Sequence, residues 1–203
     1  EGDIRLMQQA NAALMSKLDA ICAANNIQYW LSYGSLVGTL SRSGFIPWDD
    51  DIDICMLRSD VDKLTAALKD DPEYQITLVY DWFVKCRQVR FCSTNSLIPC
   101  FVDISIYDRA AENSKRANDR LRQLRIELMD FFDKNEHEFS FWKDNPWMFH
   151  PDSGLSVQCG DVDLEAQRTV VSSAEIDLVQ SVFDSFNEKA HALGLLTDEP
   201  HGD

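Results

Sequence analysis

The sequence lacks any apolar run of the roughly 18–20 residues that a membrane-spanning helix needs, so we expect no transmembrane segment in this chain. It is also short of basic residues, because 19 Lys and Arg stand against 34 Asp and Glu for a formal net charge of −15. Such a charge repels phosphate backbones and anionic lipids, which argues against a nucleic-acid partner. An anionic ligand therefore needs a local cluster of cations or a metal ion.

The sequence also lacks the common signatures of soft-metal and nucleophile chemistry. Its six cysteines form no Cys-x-x-Cys pair, and its four histidines show no ligand spacing. No serine or cysteine stands in a nucleophile-elbow context, so triad chemistry has no support. We expect reduced, structural cysteines in a cytoplasmic protein, at most peripheral to a membrane. The chain begins at Glu1 rather than Met, and we expect a processed form or a segment of something longer.

Of the 203 residues, 45% are apolar, which is enough to form an ordinary hydrophobic core. A chain of this length is one domain, or one domain with an appendage. Apolar periodicity predicts helices over 4–25, 59–68 with Ser59 as N-cap, about 112–135, and 172–193 behind a Ser172/Glu175 capping box. Strand patterns lie at 28–33, 51–56, 75–80, 82–91 and 101–107. The mixture predicts an α+β fold with a mixed sheet flanked by helices. We expect a core at 1–135 and a helical and irregular region at 136–203 packed on it.

Four carboxylates crowd into five residues at Asp49, Asp50, Asp51 and Asp53. Like charges at that spacing repel one another, so a hard divalent cation with oxygen ligands is the natural compensation. Period-two alternation places Asp51 and Asp53 on one face of a strand. Asp103 is the other acid set inside an apolar strand, which makes it the candidate third ligand of a Mg²⁺ or Mn²⁺ ion.

Two other interpretations of the acids compete with a magnesium or manganese site. Asp49, Asp51, Asp53 and Asp60 fall at positions 1, 3, 5 and 12 of a calcium-binding loop. That hypothesis fails at position 6, where Ile54 replaces the required glycine. The acids taken alone also fit an ordinary acidic surface turn.

Two further features are typical of phosphate sites. Gly34 and Ser35 follow a predicted strand, where backbone N–H groups and a hydroxyl can approach phosphate. Lys85 and Arg87 lie two residues apart on the predicted 82–91 strand, so they share a face that is a plausible cradle for a diphosphate. Solvated cations on an edge strand are an equal alternative for that pair.

A Gly-Ser turn followed by an acid, an apolar residue and a second acid looks like the signature of the nucleotidyltransferase fold. The strings GSLVG at 34–38 and GFIPWDDDID at 44–53 closely resemble the LicD family, which includes bacterial phosphocholine transferases and is related to fukutin and fukutin-related protein. The string FVDISIYD at 101–108 is similar to the family's second acidic motif. The resemblance covers about residues 4–132.

The resemblance implies a nucleotidyltransferase-type sheet, with Asp51, Asp53 and Asp103 as catalytic metal ligands and the Gly-Ser turn near the nucleotide phosphates. It implies transfer of a phosphorylated alcohol such as phosphocholine from a CDP-linked donor to a glycan hydroxyl, with CMP leaving. Either Asp103 or Asp49 would take the proton from that hydroxyl.

One departure concerns the residues before the GFIPW string. Family members carry several basic residues there, whereas this chain has Arg42 alone between two serines, and Arg42 is the remaining candidate donor-phosphate contact in the loop. The alternatives are therefore a nucleotidyltransferase that moves a nucleoside monophosphate from a triphosphate, and a non-catalytic metal- or glycan-binding module.

Overall fold

The chain is described by a computed structural model that covers residues 2–95, 98, 100–149 and 171–199. Its helices are α1 (Gly2–Ala24), α2 (Tyr33–Arg42), α3 (Arg58–Ala67), α4 (Lys115–Lys134), α5 (Ser140–Asp144) and α6 (Ser173–Ala192). Its strands are β1 (Tyr29–Leu31), β2 (Ile52–Leu57), β3 (Tyr74–Asp81), β4 (Cys86–Ser93), β5 (Phe101–Tyr107), β6 (Arg109–Ala110), β7 (Trp147–Phe149) and β8 (Leu196–Thr197).

The strands form a six-stranded sheet in the order β1-β2-β5-β4-β3-β7 and a two-stranded sheet of β6 and β8. The large sheet is mixed, because β2 and β5 run parallel while β1 and β4 pair antiparallel with β2 and β5 respectively. The predicted α+β fold with a mixed sheet is confirmed. The parallel β2–β5 pair matters most for function, since it sets Asp53 directly beside Asp103.

One face of the large sheet carries the main core. Helices α1 and α3 supply buried side chains such as Leu18 and Leu64, which join Ile54 of β2 and Ile104 of β5 in a single apolar cluster. Four of the cysteines, Cys22, Cys55, Cys92 and Cys100, are buried and outside any disulfide, which fits their packing as small hydrophobes. Cys159 lies outside the described residues.

Contacts divide the described chain into two units. The first contains described residues within 1–79, 88–107 and 149–164, and the second those within 80–87, 108–148 and 165–203. The predicted division at residue 135 stays a prediction. Within the described ranges, no helix is both long and apolar enough to cross a membrane.

The structure settles two local expectations about where helices begin. The capping box before α6 is confirmed, since Ser172 and Glu175 exchange side-chain and backbone hydrogen bonds, and Gly194 beyond the helix has a positive φ of 66°. Ser59 as N-cap of α3 is wrong, because β2 leads directly into the helix and Leu57 occupies that position. The sequence showed no clear helix or strand period over residues 136–168, and most of this stretch lies outside the described residues.

The expected strand over 82–91 is wrong at its start. Asp81 accepts hydrogen bonds from the N–H groups of Phe83 and Val84, which bends residues 82–85 into a turn. Lys85 has a positive φ of 46° and precedes β4, so it does not alternate with Arg87 on one strand face.

Candidate active site

Three carboxylates converge where β2 and β5 lie side by side. Asp53 in β2 stands opposite Asp103 in β5, and Asp51 immediately precedes β2. One oxygen from each of the three carboxylates lies within 4.8 Å of the others. Oxygen atoms at that mutual spacing suit a single hard cation, such as Mg²⁺ or Mn²⁺.

The strand pattern explains why the acids face the same way. Ile52 and Ile54 of β2 are buried in the core shared with α1 and α3, so the alternate residue Asp53 must project from the other face. Val102 and Ile104 do the same for Asp103 on β5. The free energy gained by burying these apolar residues therefore offsets the repulsion between the two carboxylates.

The electrostatics of the cluster show a deficit of positive charge. Burial, with Asp51 and Asp103 next in effect, raises the pKa of Asp53 to about 7. Burial and then Asp103 raise the pKa of Asp51 to about 6. Burial and mutual repulsion thus disfavour the ionised form of both carboxyls, and a divalent cation would relieve this and fits the donor set.

Arg90 is a member of the site that the sequence analysis missed. Its Nε donates to Asp103 Oδ1 at 2.7 Å, with both side chains largely buried, and its guanidinium lies 4.0 Å from the Phe101 ring centroid. Burial raises the pKa of Asp103, and Arg90 opposes that rise. No local pattern in the sequence pointed to Arg90, because it meets Asp103 through the register of the antiparallel β4–β5 ladder, which only the fold sets.

Gly34 and Ser35 lie in the first turn of α2, next to the acids. Ser35 Oγ accepts a hydrogen bond from the Asp53 N–H at 2.9 Å, which ties the helix N-terminus to β2. Gly34 faces Asp49 so closely that an added Cβ would lie 2.5 Å from Asp49 Oδ2. The structure therefore brings Gly34, Ser35 and Asp49 to the cluster, whereas Arg42 is exposed at the far end of α2.

One carboxylate oxygen of Asp49, Oδ2, is buried without a hydrogen-bond partner among the described residues. Burial, followed by the neighbouring Asp50, raises the pKa of the Asp49 carboxyl. A buried acceptor without a partner costs stability, and the cost is larger for the ionised carboxyl.

Lys85 and Arg87 belong to the second unit, where each meets a carboxylate. Lys85 is buried, 3.2 Å from Asp133, and its Nζ also lies over the Trp82 ring. Arg87 lies 3.3 Å from Asp184. Their predicted role as a diphosphate cradle stays a prediction.

The raised pKa values predict that the metal-free protein loses stability as pH rises from about 4 to 8. Asp53 binds its proton more tightly when folded than when unfolded, where its pKa is about 3.9, so deprotonation through this window disfavours the folded state. Melting temperatures in EDTA at pH 5, 6, 7 and 8 measure the slope. Asp53→Asn should flatten it, whereas Asp70→Asn, which removes an exposed charge, should not. Equal slopes in both variants would contradict the assignment.

A mixed sheet that gathers a Gly-Ser helix start, two carboxylates on neighbouring strands and a third just before one of these strands is the arrangement that the resemblance to the nucleotidyltransferase fold implies. The sequence profile of the family described as LicD/FKTN/FKRP, nucleotidyltransferase domain, matches residues 26–168. The chain belongs to this family. The match starts later and ends later than the predicted span of 4–132, so the family resemblance reaches into the segment where the sequence showed no clear period.

Individual curated relatives share only modest sequence identity with this chain. The chain is 27% identical to the lipopolysaccharide cholinephosphotransferase LicD of Haemophilus influenzae over 124 residues, which cover 55% of this chain and 47% of that protein. It is 34% identical over 68 residues to the uncharacterised protein RP689 of Rickettsia prowazekii, covering 34% of this chain and 26% of that one. The chain thus spans less than half the length of the curated relatives it matches.

Proposed function

We propose that the protein is a metal-dependent transferase that moves a phosphorylated alcohol from a CDP-activated donor to a glycan hydroxyl and releases CMP. The observation that carries the proposal is the convergence of the Asp51, Asp53 and Asp103 oxygens within 4.8 Å in a chain of this family. Because the Haemophilus relative is a lipopolysaccharide cholinephosphotransferase, phosphocholine and a lipopolysaccharide glycan are the first substrate pair to test.

The three carboxylates would hold Mg²⁺ or Mn²⁺, which when bound neutralises the donor diphosphate and the charge that develops on the leaving phosphate. Residues of the chain would contact the nucleotide phosphates and position the carboxylates. The first-turn N–H groups of α2 at Gly34 and Ser35 have no acceptor within the helix and are suited to a nucleotide phosphate. Arg90 holds Asp103 in place by its 2.7 Å hydrogen bond, and its charge opposes the rise in the pKa of Asp103 that burial causes.

In the reaction, the acceptor hydroxyl oxygen forms a bond to the phosphorus of the phosphoalcohol group, and the bond from that phosphorus to the CMP oxygen breaks. The hydroxyl proton passes to a carboxylate, and CMP leaves with the negative charge. Asp49 and Asp103 are the two candidate bases, and Arg90 already bonds to Oδ1 of Asp103.

Product analysis tests the reaction. The protein is incubated with CDP-choline, CDP-ribitol or CTP, with Mn²⁺ and a glycan acceptor, and CMP and pyrophosphate are quantified. We expect CMP from a CDP-alcohol, dependent on both acceptor and metal. Pyrophosphate from CTP would instead support the nucleotidyltransferase alternative, and metal binding without either product would support a non-catalytic module.

A further inference from the structure

Helix α1 lies ahead of residue 26, where the family match begins, yet two of its side chains reach the acidic loop. Gln8 Nε2 donates to the carbonyl oxygens of Ile46 at 3.1 Å and Asp49 at 2.8 Å. Asn11 Nδ2 donates to the carbonyl oxygen of Asp50 at 2.6 Å. Three side-chain hydrogen bonds from one helix therefore end on the loop that leads into the metal site.

The bonded carbonyls belong to a specific turn. The Asp49 N–H donates to the Ile46 carbonyl at 3.0 Å, which closes a β-turn with Pro47 at its second position. Gln8 bonds to the carbonyls at both ends of that turn, so its amide acts as a clamp. Gln8 and Asn11 are 4% and 1% exposed, which shields these hydrogen bonds from competition with water.

The loop needs such a clamp because of where Asp51 lies. Asp53 and Asp103 are fixed by the β2–β5 ladder, whereas Asp51 stands one residue before β2 begins. On the other side of Asp51, the backbone is anchored at Asp50 and Asp49 by the two amides of α1. A shift of this loop would move the Asp51 carboxylate away from the other two ligands.

We propose that Gln8 and Asn11 are positioning residues for the metal centre, which they serve by fixing the backbone that carries Asp49, Asp50 and Asp51. The inference rests on the metal site of the proposed function. It extends the working site to a helix outside the family match. Removing such a supporting hydrogen bond typically weakens metal binding about 10–100-fold.

The test compares variants of the whole chain. Gln8→Met keeps the length of the side chain and removes its donor, and Asn11→Ala is the second variant. Gln9→Met makes the same change at an exposed neighbour, while Leu14→Val weakens the core face of α1 without touching the loop. The readouts are the Mn²⁺ dissociation constant by calorimetry and hydrogen exchange of the amides at 46–51.

We expect Gln8→Met and Asn11→Ala to weaken Mn²⁺ binding about 10–100-fold and to speed exchange at 46–51. Gln9→Met and Leu14→Val should leave both unchanged, although Leu14→Val lowers the melting temperature. Unchanged Mn²⁺ affinity in both Gln8→Met and Asn11→Ala would overturn the inference. If the native chain binds no Mn²⁺, the proposed function fails, and exchange at 46–51 alone decides whether the clamp exists.

Discussion

Replacing Asp53 by Asn is expected to lower the proposed transferase turnover about 100–1000-fold while it stabilises the metal-free fold at pH 8. Turnover falls because the change removes a carboxylate from the centre of the proposed metal site. Stability rises because the native carboxyl, whose pKa is raised to about 7 by burial and then by Asp51 and Asp103, must ionise in that environment at pH 8. A rise in melting temperature of about 2 °C is a reasonable size for this relief in a chain of 203 residues.

The two effects have opposite signs, and this separates the metal-site account from simple damage. CMP release is measured with Mn²⁺ present, and thermal unfolding is measured in EDTA at pH 8, both on the same preparations. Asp70→Asn is the control for loss of one negative charge. Added Mn²⁺ should stabilise the native chain and Asp70→Asn but not Asp53→Asn. Lower metal-free stability of Asp53→Asn, together with retained turnover, would contradict the account.

Replacing Gly38 by Ala is expected to lower the melting temperature by at least about 5 °C and to remove most of the activity. Alanine in a helix ordinarily stabilises by about 1 kcal/mol relative to glycine, so the expected sign is reversed. The reason is contact: a Cβ at Gly38 would lie 2.4 Å from the Gly44 carbonyl oxygen and 2.9 Å from the Ile46 nitrogen. Both are backbone atoms, so the loop or α2 must move.

Gly44→Ala is the matched control for this prediction. A Cβ at Gly44 meets nothing within 4 Å, so the same added methyl group should leave stability and turnover almost unchanged. Circular dichroism melts and CMP release compare the pair. A Gly38→Ala variant as stable and active as Gly44→Ala would show that α2 does not pack against the 44–46 backbone as described.

The sequence was sufficient to predict the elements whose signal is local. Alternation on β2 and β5 placed Asp53 and Asp103 opposite to buried aliphatic residues, and their convergence agrees with that pattern. The Ser172 capping box was equally local, since its two partners are three residues apart. In such cases the alternation along the strand, or the spacing between the two partners, is enough to predict where the side chains lie.

Other features depended on contacts that no local pattern encodes. Gln8 and Asp49 are 41 residues apart, and Arg90 meets Asp103 only because β4 and β5 pair in one register. Ser59 failed as a cap because β2 passes into α3 without a loop, a matter of tertiary path rather than of helix-start preference. Lys85 left the expected strand because Asp81 nucleates a turn within an otherwise strand-like stretch.

The most direct test of the central claim is a thermal-shift titration of the native chain and Asp53→Asn. CDP-choline, CDP-ribitol, CTP and ATP are each added with and without Mg²⁺ or Mn²⁺. A ligand at a hundred times its dissociation constant adds about 2.7 kcal/mol, a readable shift. The account predicts stabilisation by a CDP-alcohol that requires the metal and disappears in Asp53→Asn. Stabilisation that is independent of metal, or is retained in Asp53→Asn, would contradict it.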